Sequence, residues 1–349
     1  MGERCIGGLQ SIMFLSDNVN IEVLPAGYGD CIFLSIHKEN MVFNILVDGG
    51  LASTYYNVKE RRNPMGPLRT LLSHLKDKGH YIDLLICTHV DDDHIGGIRK
   101  WFEMDFPIDD FVREIWINDD VLIADRHDLN NTSAHAASII DKLKEQHIQY
   151  QNSIVTGFSK KNEFCRINVL APSSAHHNVI AHDIHKSLDN ASSEKNNNKK
   201  TFMELVHEDW NMQDNTAENE ASIAFELECW DGVKLLLLGD ANYQDYIEGL
   251  KLFHPDKEEK LEYNIVKMSH HGSKNNFHPD FIKRIHTPYY IVSTNGGKFK
   301  HPDKEVLAQI ICNTDSVILF NYKKRMQELI LEQDRLDFPD LDTRIKALN

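Results

Sequence analysis

Long apolar runs are missing from this 349-residue sequence. No run approaches the length that a helix needs to cross a bilayer, and the first residues lack the apolar core of a signal peptide. The six cysteines are scattered and form no Cys-x-x-Cys pair, a pattern that is typical of buried free thiols in a reducing compartment. We therefore expect a cytoplasmic protein without a membrane partner.

Positive charge is also scarce. The chain has 38 lysines and arginines against 53 aspartates and glutamates, which gives a formal net charge of -15. This balance opposes nonspecific attraction to nucleic acid or to an anionic membrane. Any polyanionic partner would have to be attracted by a local basic patch or by bound metal ions.

The apolar pattern predicts an α/β protein in which strands and helices alternate. Three strands open the chain, at Ile21–Leu24, Cys31–Ile36 and Met41–Val47. We expect a single domain over residues 1–325, with a flexible polar insertion at about 174–219. Polar runs such as Ser192–Lys200 cannot bury enough apolar surface to fold alone. Residues 326–349 are expected to form a C-terminal docking tail for a protein partner.

Five candidate metal ligands lie within six residues, in the run His89-Val90-Asp91-Asp92-Asp93-His94. The run follows an apolar strand predicted over Ile82–Cys87, and a helix is predicted from Gly96 onward. Imidazole and carboxylate groups are ligands for zinc, manganese and iron, and a strand end would hold them rigidly. The alternative is a solvated acidic turn with incidental histidines.

Two further predicted strands end on residues that can bind metals. Asp240 follows four consecutive leucines and Gly239, while His270 and His271 follow the strand predicted over Glu262–Met268. A dinuclear site needs ligands that converge from distant segments on one sheet edge, with one carboxylate bridging the two cations. Asp240 suits the bridging role, and its alternative is an ordinary Gly-Asp turn.

Taken together, these motifs resemble those of the metallo-β-lactamase superfamily. The motifs are Thr88-His89-x-Asp91-x-Asp93-His94-Ile95-Gly96-Gly97, Leu-Leu-Gly239-Asp240, His270-His271-Gly272-Ser273 and His301-Pro302, preceded by Gly27-x-Gly29-Asp30 and Asp48-Gly49-Gly50. Within the superfamily, the sequence is most similar to the soluble nuclease-like domain of DNA-uptake channel proteins of the ComEC type, over roughly residues 20–320. The resemblance implies a four-layer αβ/βα sandwich of two mixed β-sheets, with a metal cleft at their common edge.

The resemblance also implies ligands for two divalent metal ions, Zn or Mn. The first ion would be held by His89 and Asp91. The second would be held by Asp93, His94 and either His271 or His270. Asp240 would bridge the two ions.

The sequence departs from the family pattern at two places. The most familiar form has a histidine where Asp91 stands, and a carboxylate there makes the site more tolerant of manganese. A histidine that many members place before the bridging aspartate is not evident, because Leu170-Ala171-Pro172 occupies that position. The first ion would then bind weakly or not at all, unless another histidine substitutes. The candidates are His127, His135, His176 and His177, for each of which an ordinary surface position is the alternative.

A hydroxide held between two cations is a strong nucleophile near neutral pH, and the cations neutralise charge on an ester under attack. We expect catalysis by Asp93, His301 and Lys274, with water as the attacking group. Ser273, Lys274 and His301 would contact the substrate, Lys274 balancing negative charge and His301 protonating the leaving oxygen. The alternatives are a solvated lysine and a His-Pro pair that begins a helix.

The segment from residue 267 to residue 304 is locally basic, with seven basic against two acidic residues. The basic residues are Lys267, Lys274, Lys283, Arg284, Lys298, Lys300 and Lys304. A basic rim beside the metals favours an anionic phosphodiester substrate, DNA or RNA, over a β-lactam. Phe277, Tyr289, Tyr290 and Phe299 either stack on bases or belong to the core.

Three functions remain open on the sequence alone. The first is a metal-dependent phosphodiesterase or nuclease. The second is a metallohydrolase that acts on a small ester, thioester or phosphocholine-type group. The third is a degenerate metal-binding scaffold that binds a partner protein through its tail and insertion.

Overall fold

Most strands carry apolar side chains on both faces, and the chain accordingly forms two β-sheets that are each covered on both sides. The computed structural model describes residues 12–60, 62, 64–107, 111–118, 139–146, 148–174, 196–212, 221–256 and 259–348. Both sheets are mixed, and their inner faces pack against each other.

The first sheet consists of β1 (Ile12–Phe14), β2 (Val19–Val23), β3 (Ile32–Lys38), β4 (Met41–Val47), β5 (Leu84–Cys87) and β6 (Ile115–Ile117). These six strands lie side by side in chain order. Neighbours are antiparallel from β1 to β4 and parallel from β4 to β6. The three opening strands that the sequence predicts correspond to β2, β3 and β4, which form an antiparallel meander.

The later strands are β7 (Ser159–Lys161), β8 (Cys165–Ala171), β9 (Ala224–Cys229), β10 (Lys234–Leu237), β11 (Leu261–Glu262), β12 (Ile265–Lys267), β13 (Ile285–His286), β14 (Tyr289–Val292), β15 (Val317–Phe320) and β16 (Ile345–Ala347). Eight of them form the second sheet, in the order β16-β15-β14-β12-β10-β9-β8-β7, and β11 pairs separately with β13. The second sheet is antiparallel from β7 to β10 and parallel from β10 to β16.

The α-helices with defined bounds are α1 (Ala52–Tyr55), α2 (Pro67–Asp77), α3 (Asp92–Met104), α4 (Phe202–Leu205), α5 (Tyr243–Phe253), α6 (Phe281–Arg284), α7 (Lys304–Asn313), α8 (Lys323–Leu329), α9 (Glu332–Asp337) and α10 (Leu341–Arg344). Residues 139–145 are also helical. Short 3₁₀ turns occupy Asn196–Lys199, Ser269–Gly272 and Lys274–Asn276.

Three apolar clusters separate the layers. Between the sheets, side chains such as Ile86 of β5 and Leu235 of β10 share one core. The outer face of the first sheet packs on α2 and α3, where Trp101 is buried, and that of the second packs on α5 and α7, where Leu250 is buried. The order is therefore helices, sheet, sheet, helices. This arrangement confirms the predicted four-layer αβ/βα sandwich with two mixed sheets.

Helix α3 begins at Asp92 rather than at Gly96, so the prediction of its first residue is wrong. Asp93 and His94 lie in its first turn and not on a loop. Acidic residues in the first turn stabilise a helix, because their negative charge interacts favourably with the positive end of the helix dipole. Gly96 and Gly97 lie inside the helix instead of before it. Gly97 allows the helix to approach the backbone of Gly49 closely, since a Cβ on Gly97 would lie 2.0 Å from the carbonyl oxygen of Gly49.

The C-terminal residues belong to the second sheet. Strand β16 pairs in parallel with β15, and Leu341 and Ile345 are buried. Arg325, which is 4% exposed, donates a hydrogen bond to the carbonyl of His301 (2.8 Å). Residues 326–348 are thus packed against the domain, and the partner that the sequence analysis assigned to them stays a prediction.

Part of the predicted insertion also reaches the core. Phe202 and Leu205 of α4 are buried, and the backbone N–H of Phe202 donates to Asp334 (2.7 Å). Residues 175–195 and 213–220 lie outside the described part of the chain, so the flexible character of the insertion stays a prediction. Among the helices that the structure describes, none combines the length and apolar character that crossing a bilayer requires.

Candidate metal centre

The polar residues of three strand ends meet where the two sheets share an edge. His89 follows β5 of the first sheet, Asp240 follows β10 of the second, and the turn Ser269–Gly272 follows β12. The two ends in the second sheet are joined by a hydrogen bond from the N–H of His270 to the carbonyl of Gly239 (2.9 Å). Segments far apart in the sequence therefore lie side by side.

The Asp240 carboxylate is surrounded by imidazoles. Its Oδ1 lies 3.4 Å from Nε2 of His94. Its Oδ2 lies 3.6 Å from Nε2 of His270, 3.8 Å from that of His89 and 3.9 Å from that of His271. Ligand atoms on one tetrahedral zinc, at about 2.0–2.1 Å from the ion, lie roughly 3.3 Å apart. The observed separations are close to that value.

Two more carboxylates complete the cluster. Oδ2 of Asp91 lies 3.7 Å from Nε2 of His89, and Oδ2 of Asp93 lies 3.8 Å from Nε2 of His271. Three groups place one donor atom of each residue within 4.8 Å of the others: His89, His94 and Asp240; Asp93, His94 and His271; and Asp30, Asp240 and His271. The structure thus brings together all seven predicted ligands, and their binding of metal stays a prediction.

Among the seven predicted ligands, four buried atoms have no hydrogen-bond partner. They are Nε2 of His89, Nε2 of His94, Nε2 of His271 and Oδ1 of Asp240. Leaving a buried polar atom unpaired costs about 1–3 kcal/mol. Four such atoms converging on one place are better explained by a cation that binds there, so the residues fit a divalent metal ion.

The opposite ring nitrogens are held by the protein. Nδ1 of His94 lies 2.8 Å from a carboxylate oxygen, Nδ1 of His271 2.8 Å from a carbonyl oxygen, and Nδ1 of His89 3.1 Å from a hydroxyl oxygen. These partners are Asp48, Ser293 and Thr88 respectively. A ring that donates through Nδ1 presents its lone pair on Nε2, which is the arrangement a metal ligand needs.

The mixed charges shift the pKa values of these groups. Burial alone would raise the pKa of Asp240, but the imidazoles of His94, His270 and His271 outweigh it and hold the pKa well below its usual range. Burial opposes charge on His271 too, but Asp30 and Asp240 raise its pKa to about 9. For His270, burial prevails and lowers the pKa to about 4. Protons and cations therefore compete for this site.

The predicted substrate-contacting residues lie beside the cluster in different ways. The rings of His301 and His270 are 4.9 Å apart, and His301 is 7% exposed. The Ser273 hydroxyl is buried and accepts from the N–H of Asn275. The Lys274 ammonium lies 3.3 Å from Glu305. The catalytic and substrate-binding roles of these residues, and the catalytic role of Asp93, stay predictions.

The basic rim is smaller than the sequence count indicates. Lys267 and Lys304 are buried in ion pairs and do not reach the surface, so the prediction is wrong for both. Lys298 and Lys300 are exposed, and Nζ of Lys298 lies 4.5 Å from the ring centroid of Phe299. That ring is 6.1 Å from the ring of His270, which places these lysines at the border of the centre.

Of the aromatic residues considered for stacking, Phe277 and Tyr290 are buried in the core. Phe299 is half-buried and forms an edge contact with Tyr28, with ring centroids 6.2 Å apart. Tyr289 is partly buried too, but it packs against the core between the sheets, which leaves Phe299 as the candidate for base stacking beside the centre.

The sequence analysis placed Asp30 and Asp48 in motifs without giving either a role, and it counted Lys267 only in the basic rim. Asp48 accepts from the N–H (2.8 Å) and hydroxyl (2.7 Å) of Thr88 and contacts His94, and Asp30 pairs with Lys267. Asp30 precedes β3, Asp48 follows β4 and Lys267 ends β12, so their positions beside apolar strands are the signal that would have found them. The substitute ligands His127, His135, His176 and His177 lie outside the described residues.

No family model matches this sequence, and no curated protein does. Solved structures align with nearly its whole length. One is a possible metal-dependent hydrolase from Veillonella parvula, with 11% identity, 98% of this chain and 97% of that chain covered, and a TM-score of 0.44. Another is the metallo-beta-lactamase fold protein YhfI from Bacillus subtilis, with 10% identity, coverage of 95% and 97%, and a TM-score of 0.40. An isothiocyanate hydrolase from Delia radicum gut bacteria has 12% identity, coverage of 94% and 95%, and a TM-score of 0.41. Likenesses this weak say nothing of the chemistry of this chain.

Proposed function

We propose that the protein is a metal-dependent hydrolase that cleaves phosphodiesters. One observation carries the proposal: unpaired buried atoms of His89, His94, His271 and Asp240 converge on one place. The chemistry of this donor set suits Zn or Mn, and the two sides of the Asp240 carboxylate suit a pair of ions. Divalent ions bound there would supply positive charge to an anionic ester and would activate water for attack.

An anionic substrate is favoured by the border of the centre. Lys298 and Lys300 are exposed and flank Phe299 in the sequence. The ring centroid of Phe299 lies 6.1 Å from that of His270. Cationic side chains can contact the phosphate of a nucleotide, and an aromatic ring beside them can stack on its nucleobase. A DNA or RNA substrate would also agree with the resemblance to the nuclease-like domain of ComEC-type proteins.

The side chains would divide the proton transfers. Water attacks phosphorus, the bond from phosphorus to the leaving oxygen breaks, and the products are a phosphomonoester and an alcohol. Asp93 would accept the proton that water loses, and His301 would give a proton to the leaving oxygen. Lys274 would add positive charge, although its contact with Glu305 offsets part of it.

Hydrolysis assays with defined metals test the proposal. The purified chain is treated with chelator, reloaded with Mn²⁺ or Zn²⁺, and given bis(p-nitrophenyl) phosphate, single-stranded DNA, duplex DNA or RNA. The chain should cleave the small phosphodiester and at least one polymer. Asp93→Ala and His94→Ala should abolish turnover, whereas His286→Ala, an exposed histidine paired with Glu262, should retain it.

Three results would argue otherwise. Cleavage of the small diester but of no polymer would indicate the small-molecule metallohydrolase. Full activity in Asp93→Ala or His94→Ala would refute this site. Absence of bound metal, with neither activity nor melting temperature responding to added Mn²⁺ or Zn²⁺, would indicate a scaffold that binds a partner protein.

A further inference from the structure

A buried ion pair adjoins the metal centre. The ammonium of Lys267 lies 2.6 Å from Oδ2 of Asp30, and the two side chains are 1% and 2% exposed. Removing charges from water costs several kcal/mol per ion, and a buried pair is often replaceable by apolar residues without loss of stability. Stability alone is therefore a weak explanation for this pair.

The second oxygen of Asp30 faces the metal centre. Oδ1 lies 3.4 Å from Nδ1 of His271, the nitrogen that also lies 2.8 Å from the carbonyl oxygen of Ser293. Two acceptors on this side of the ring favour a proton on Nδ1. The lone pair of His271 is then directed from Nε2 toward Asp93 and Asp240, which lie 3.8 and 3.9 Å away.

The turn that carries His271 is in an uncommon conformation. His270 and His271 have φ angles of 43° and 55°, which non-glycine residues adopt rarely. Lys267 stands at the end of the strand that enters this turn, and its ammonium also donates to the carbonyl of Met268 (2.9 Å). One side chain thus contacts both Asp30 and the backbone that leads to the histidines.

The positive charge of Lys267 also helps to balance the negative charges of the metal centre. Five carboxylates lie in or against the cluster, those of Asp30, Asp48, Asp91, Asp93 and Asp240. Two divalent cations would balance four of these charges, and the ammonium of Lys267 would balance the fifth. A buried cation at this position therefore lowers the repulsion among the carboxylates.

From these contacts we propose that Asp30 and Lys267 are positioning residues that orient His271 as a metal ligand. The inference rests on the metal centre of the proposed function. Neither residue touches substrate; both act through the ring of His271. Loss of such partners of ligating histidines lowers metal affinity by about 10- to 100-fold.

Cobalt substitution tests the inference with a readout other than activity. Co²⁺ absorbs visible light in a way that depends on its ligand geometry, and competition with a chelator gives its affinity. Asp30→Asn, Lys267→Met and the double variant should each bind Co²⁺ about 10- to 100-fold more weakly than the wild type, with an altered spectrum. Each single variant leaves one buried charge unpaired and should be destabilised, while the double variant should regain stability but not affinity.

The chain offers a matched control. Lys304 and Asp334 form a second buried ion pair at 2.6 Å, with both side chains 0% exposed, and Lys304 packs on the ring of Phe202. Lys304→Met should lose stability as Lys267→Met does, yet keep the wild-type Co²⁺ affinity and spectrum. The comparison separates damage to the fold from damage to the centre.

The outcomes are distinct. If the double variant folds and binds Co²⁺ with the wild-type affinity and spectrum, the pair is only structural and the inference is overturned. Equal loss of affinity in Lys304→Met would overturn it as well. Failure of the wild-type chain itself to bind Co²⁺ would overturn the metal centre, and with it both proposals.

Discussion

The stability of this protein should depend on pH through one buried carboxyl group, that of Glu22. The side chain belongs to β2, is 6% exposed and lies on the face opposite Ile21 and Val23, which point into the core between the sheets. Burial raises the pKa of Glu22 from 4.5 to about 7. The substitution Glu22→Gln keeps the shape of the side chain and removes its charge.

The magnitude follows from the pKa difference. Each pKa unit corresponds to about 1.4 kcal/mol. Because the folded state binds the proton of Glu22 more tightly than the unfolded chain does, the wild type loses stability as the pH rises from about 4.5 to above 7. Glu22→Gln avoids this loss. It should therefore be more stable than the wild type by roughly 3 kcal/mol at pH 8, but by less than about 1 kcal/mol at pH 5.

Urea unfolding followed by circular dichroism at pH 5 and pH 8 measures this difference. Chelator is present throughout, so that metal binding does not contribute. Glu39→Gln, on the exposed turn between β3 and β4, is the control and should leave the pH profile unchanged. A stability gain in Glu22→Gln that is the same at both pH values, or a loss at pH 8, would refute the reasoning.

Three further predictions concern the centre and its supports. Gly29→Ala should weaken metal binding, measured by chelator competition, because its Cβ would lie 1.7 Å from the carbonyl oxygen of Asp93. Gly79→Ala is the control: its Cβ meets nothing within 4 Å, and the positive φ of 69° should cost stability without weakening metal binding. Arg325→Met should lower the free energy of unfolding by roughly 2 kcal/mol, since it removes a buried hydrogen bond to the carbonyl of His301 and a partly buried one to that of Lys300, both from a charged donor. Unchanged urea denaturation would contradict this. Removing metal with chelator should lower the melting temperature, because an ion at 100 times its dissociation constant stabilises by about 2.7 kcal/mol.

Local pattern was sufficient for most of the fold. Strands β2, β3 and β4 form where the apolar pattern predicts them. The buried leucines of α2 recur every three or four residues, which is the spacing of an amphipathic helix. The start of α3 was missed because Asp92 and Asp93 resemble a metal-binding loop. Two consecutive glycines, Gly96 and Gly97, are also typical of a helix boundary. Their place inside the helix is explained by the close approach of Gly97 to Gly49, which only the tertiary structure reveals.

Charge was the less predictable property. In the sequence, nothing distinguishes Lys267 and Lys304 from the exposed Lys298 and Lys300. In the structure, Lys267 and Lys304 are buried in ion pairs with aspartates from distant segments. Whether a lysine is buried depends on which carboxylate the fold brings to it, and sequence distance carries no such information. The predicted basic rim was therefore overestimated.

The sequence by itself determined which residues could bind a cation, because imidazoles and carboxylates placed directly after apolar strands are held at a sheet edge whatever the partner strand is. Only the tertiary structure decided that Asp240 lies among four imidazoles and that Asp30 and Lys267 stand behind His271. The physical reason is that the contacts of Asp240 with His89 and His94, and those of Asp30 with Lys267 and His271, join the two sheets. They depend on how the inner faces of those sheets pack, which no local pattern specifies.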